Sequence, residues 1–85
     1  MPNNTREAIA MNQADVLIHI DEDLNSDRIH EMERALSLHE GVISVCMHER
    51  RRHLLVVDYE PGRVRPVDLL SRVRADGLHA ALIGL

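Results

Sequence analysis

Residues 41–60 read GVISVCMHERRRHLLVVDYE, two apolar runs held apart by a polar, arginine-rich centre. In the first run Val45 and Met47 alternate with Ser44, Cys46 and His48. In the second, Leu55, Val57 and Tyr59 alternate with Leu54, Val56 and Asp58. A period of two is the mark of a half-buried strand, so strands are predicted over 42–48 and 54–59, with arginines 50–52 at the tip of a hairpin.

Upstream, Gly41 supplies the left-handed conformation that ends a helix. Before it Ile29, Met32, Ala35 and Leu36 recur at helical spacing, and Asn25, Ser26 and Asp27 are all good N-caps, so a helix is predicted from this acidic stretch to about His39. Earlier still, Val16, Ile18 and Ile20 alternate with Asp15, Leu17, His19 and Asp21, the pattern of another strand. Downstream, EPGR at 60–63 has turn chemistry, and Pro66 suits the first position of a second helix that presents Leu69, Leu70 and Val73. Gly77 stops that helix, and 78–85 is predicted as a last strand.

The order is therefore strand, helix, strand, strand, helix, strand. Each helix has one apolar stripe, which it can bury only against the sheet. This is an α+β, ferredoxin-like βαββαβ sandwich, with two helices on one face of a four-stranded antiparallel sheet. The domain spans 14–85, and residues 1–13, polar and without periodicity, are expected to be a flexible tail.

Composition narrows the function classes. The chain has 85 residues, 45% of them hydrophobic, which suits one small domain with an aliphatic core and no large catalytic cavity. The formal net charge of -4 argues against nucleic-acid binding. All ten basic residues are arginine, which removes lysine chemistry. No apolar run is long enough to span a membrane, and the start lacks the pattern of a signal peptide, so a cytoplasmic protein without membrane insertion is expected. No nucleophile, base and orienting group come together, and no enzyme is expected.

Several segments, in this order and spacing, resemble the heavy-metal-associated domains of copper chaperones and metal-transporting ATPases. They are ERAL at 33–36, GVISV at 41–45, VDYEP at 57–61, Pro66, and DGL at 76–78. The resemblance covers 14–85 and implies a sheet order of 4-1-3-2. It also implies a soft-metal loop before the first helix, a methionine followed by CxxC. Counted back from ERAL, the methionine position falls on Asp23 and the cysteine positions on Asn25 and Arg28. The single cysteine, Cys46, lies elsewhere, and an amide with a guanidinium does not replace two thiolates. A degenerate site is expected.

Other residues could take over. Asp21, Asp23, Asn25 and Asp27 resemble the opening of a calcium loop, but Ser26 and Met32 stand where that motif needs Gly and Glu. Strand parity puts Cys46 and His48 on one side of their strand, roughly 7 Å apart. They could supply half of a Cu, Zn or Ni site whose other half comes from a second copy. His19 and His79 fall at the meeting of the first and last strands, and form a second candidate metal pair. Parity also gathers Leu17, Cys46, Leu54, Val56, Ala81 and Ile83 on the side of the sheet turned away from the helices. An apolar face of this kind marks a docking surface, and the expected partner is a second copy of the chain or another protein.

Overall fold

The computed structural model describes residues 13–48 and 50–83. These residues form β1 (Ala14–Ile20), α1 (Ser26–Ser37), β2 (Val42–Met47), β3 (Leu54–Tyr59), α2 (Pro66–Arg74) and β4 (Ala80–Ile83). The strands make one sheet in the order β2-β3-β1-β4, every pair antiparallel. The expected flexible tail, 1–13, lies outside the described residues except for Gln13.

Alternation in the strands produces two unlike faces. Val16, Ile18, Ile20, Leu55, Val57 and Tyr59 point to the helices and are at most 5% exposed. Onto them pack Met32 and Leu36 of α1 and Leu69, Leu70 and Val73 of α2, all buried, and Ile29 of α1 is buried as well. Every buried residue among those described is apolar or is Tyr59. The hydrophobic effect acting on this one layer therefore holds the fold together.

The ends of α1 follow from local chemistry. Asn25 caps its start, its side-chain Oδ1 accepting the Arg28 N–H at 2.8 Å. The helix was expected to run to about His39 and closes two residues earlier, because the His39 N–H turns to the Leu36 carbonyl and tightens the last turn. Gly41 then takes φ +90°. At α2, Pro66 occupies the first turn, and the Asp68 carboxylate accepts the Arg65 N–H at 3.1 Å.

Two strands differ from the sequence expectation. β2 carries a bulge: Val42 pairs with Tyr59 and Ser44 with Asp58, leaving Ile43 as an extra, exposed residue. The bulge lets Val42 share the helix side with Val45 and Met47, although the spacing from 42 to 45 is odd. β4 was expected over 78–85 and spans Ala80–Ile83, with residues 84 and 85 outside the described set. Its start is delayed because the His79 N–H is taken by the Glu22 carboxylate.

Candidate functional site

The loop between β1 and α1 stands where the resemblance places a soft-metal site. Asn25 spends its side-chain oxygen on the helix cap, and the Arg28 guanidinium lies 3.7 Å from Glu31. Asp23, at the methionine position, faces the Nε2 of His53, 3.0 Å away. None of these three positions offers a thiolate or thioether, the donors that a soft ion selects. Among the described residues no group of three or more His, Cys, Asp or Glu is arranged to hold a metal ion.

The geometry gives this loop a set of acid–histidine contacts. Its three consecutive acids each meet a histidine from the strands or turns around it. Asp21 lies 3.3 Å from His19 Nδ1 on β1, Glu22 lies 2.7 Å from His79 Nδ1 just before β4, and Asp23 takes His53 from the β2–β3 hairpin. His53 also places Nδ1 2.8 Å from the Ile20 carbonyl, and its ring stacks on His19 with centroids 5.8 Å apart. His19 and His79, the expected metal pair, thus each carry a separate carboxylate. These pairings were not legible in the sequence, where Glu22 and His79 stand 57 positions apart.

The Glu22–His79 pair has a pH signature. The hydrogen bond from the His79 ring holds the Glu22 carboxyl below its ordinary value of 4.5, helped by the His79 backbone N–H. The same bond, then the Glu22 charge, and more weakly Asp21, raise the His79 imidazole above 6.5. A lowered carboxyl stabilises the fold above its unfolded value, and a raised imidazole does so below its own. The pair therefore contributes fully between pH 4.5 and 6.5, and fades on either side. Glu22→Gln should return the His79 titration, followed by NMR, toward 6.5, and an unchanged titration would refute the pairing.

On the opposite side of the sheet, registers align side chains in rows. One row is Cys46, Val56, Leu17 and Ile83; the next is His48, Leu54, His19 and Ala81. Among the described residues no helix covers this face. Cys46, Ala81 and Ile83 are exposed, and Leu17, Leu54 and Val56 are half-buried. Cys46 and His48 do lie on one side of β2, as expected. However, His48 Nδ1 accepts the N–H groups of Arg50 and Arg51, each at 3.2 Å. A neutral imidazole that accepts at Nδ1 carries its proton on Nε2, so metal binding by His48 requires those two bonds to break.

No protein-family model and no curated protein matches this chain. Among solved structures it is similar to a copper-binding domain from HMA7, a P-type ATPase, with a TM-score of 0.74 over 82% of this chain and 93% of that domain. Identity is 16%, so the likeness establishes architecture. The chain has the four-stranded, two-helix fold of that copper-binding domain.

Proposed function

We propose that this domain is a non-catalytic protein-interaction module that docks or homodimerises through its open sheet face. The observation that carries this reading is the apolar row Cys46–Val56–Leu17–Ile83, which crosses all four strands with no covering element among the described residues. A contiguous apolar sheet face costs free energy in water and is relieved by a partner surface. The loop opposite supports the same reading. Its acids are engaged by histidines and its helix-capping position by Asn25, so the positions that match a copper loop serve the fold instead.

The decisive measurement is mass by light scattering for wild type and for Leu54→Glu/Val56→Glu. Both positions are half-buried on the open face, so the charges should leave the core intact and abolish association. The same monomeric mass for both proteins would overturn the reading.

A second reading keeps metal binding, through Cys46 and His48 of two copies. Its support is the exposed thiol on the face where a second copy would sit, together with the fold shared with a copper-binding domain. Native mass spectrometry with Cu(I), Zn and Ni separates the two. The interaction module predicts metal-free species in wild type and in Cys46→Ala. An ion shared by two wild-type chains, absent from Cys46→Ala, would replace it with the metal-binding reading.

A further inference from the structure

The charges around the open face are arranged with a direction. At one end, Asp15 and Asp58 are directly opposed on neighbouring strands. Like charges opposed across strands are destabilising. Asp58 accepts the Ser44 hydroxyl at 2.8 Å, and neither acid has a cationic partner among the described residues. At the other end, Arg50, Arg51 and Arg52 are exposed, and none forms an ion pair with a described residue. Among the described residues, the acids nearest that end, Asp21, Glu22 and Asp23, face histidines and not these arginines. An open depression of about 420 Å³ runs from the foot of the arginine tip to Leu54 and Ile83.

Resting on the reading of this face as a docking surface, we infer that its occupant is a second copy of the chain, with strands running opposite to those of the first. Two sheets packed face to face in the aligned class keep their strand lines within about 30° of each other. Within that class a two-fold dimer has two choices. With strands running the same way, arginine tip meets arginine tip and acid meets acid. With strands opposed, the tip of each copy covers Asp15 and Asp58 of the other, and opposite charges meet at both ends. The face measures roughly 15 Å by 17 Å between outer side chains, on the order of 250 Å² a side, which is below the size of a standard stable interface and makes the contact a weak one. On so small a patch the charges decide the orientation.

Orientation also fixes what Cys46 faces. Opposed strands lay β2 over the partner subunit's β2, bringing the two thiols together near the axis. Parallel strands lay β2 over β4, so that Cys46 faces position 83.

The test uses sedimentation equilibrium on the full chain. Raising salt from about 0.05 M to about 0.5 M should weaken the wild-type dimer on the order of tenfold. Asp15→Arg/Asp58→Arg and Arg50→Glu/Arg51→Glu/Arg52→Glu should each be monomeric where wild type is dimeric. An equimolar mixture of the two should recover the dimer, because every contact between unlike copies is again an opposite-charge pair. A short bis-maleimide should link position 46 to position 46 in wild type and in Ile83→Cys alike. Charge variants that dimerise like wild type, a mixture that stays monomeric, or links between positions 46 and 83 would overturn the orientation. If Leu54→Glu/Val56→Glu still dissociates the dimer, the open-face reading survives that failure. A wild type that is monomeric at all concentrations overturns the second copy as occupant.

Discussion

Leu55→Ala should lower stability by about 2–5 kcal/mol, a large part of what a domain this small possesses. Leu55 is 0% exposed on the second strand of the sheet, paired with Ile18 on one side and Met47 on the other. Truncation removes the buried methyl groups and leaves a cavity that two paired strands and the helix layer cannot collapse to fill. The neighbouring residue provides the contrast. Val56 points to the open face and is only half-buried, so Val56→Ala should cost less than about 1 kcal/mol in the monomer. Urea unfolding at low concentration measures both, with Tyr59, buried and the chain's only aromatic residue, as the fluorescence reporter. Similar losses for the two variants would mean that the faces of β3 are wrongly assigned.

Gly41→Ala is the other severe case, for a different reason. Gly41 sits at φ +90°, and a Cβ there would meet Val64 Cγ1 at 2.8 Å, Val64 Cβ at 3.0 Å and Arg63 Cβ at 3.1 Å. Val64 is 4% exposed and has nowhere to retreat. Left-handed strain of about 1–2 kcal/mol and overpacking of about 1–3 kcal/mol together predict a loss of about 2–5 kcal/mol. Gly77 isolates the first contribution. It has φ +85° but open space around its Cα, so Gly77→Ala should show the strain alone, about 1–2 kcal/mol. Adding Val64→Ala to Gly41→Ala should recover part of the loss through coupling. Equal destabilisation by the two glycine variants would rule out the contact with Val64.

Most of this architecture was legible because its signals are local. Ile18 and Leu55 show their side of the sheet by alternation, Met32 and Leu36 by helical spacing, and Pro66 and Gly77 bracket α2 by their backbone preferences. The sheet order came from a family resemblance, since alternation says which face a residue takes and not which strand lies beside it. Ile43 was hidden inside an unbroken apolar run, where an extra residue leaves no mark until the partner strand fixes the register. The candidate site divided in the same way. Leu17, Val56 and Ile83 were placed on one face by parity, and the registers align them with Cys46. The loop acids could not be paired in advance, because His53 and His79 reach them only once the strands have closed at that end.

The bulge at Ile43 has a bearing on aggregation. A sheet of four strands has two raw edges, each able to recruit another strand and extend without limit. Here one edge is β2, interrupted by the extra residue, and the other is β4, four residues long among the described residues. Neither gives an incoming strand a long, regular template. Growth of a fibril is discouraged at both margins, which leaves the broad side of the sheet for the proposed docking. Contact through that side by a two-fold closes on itself, so such an assembly ends at two chains.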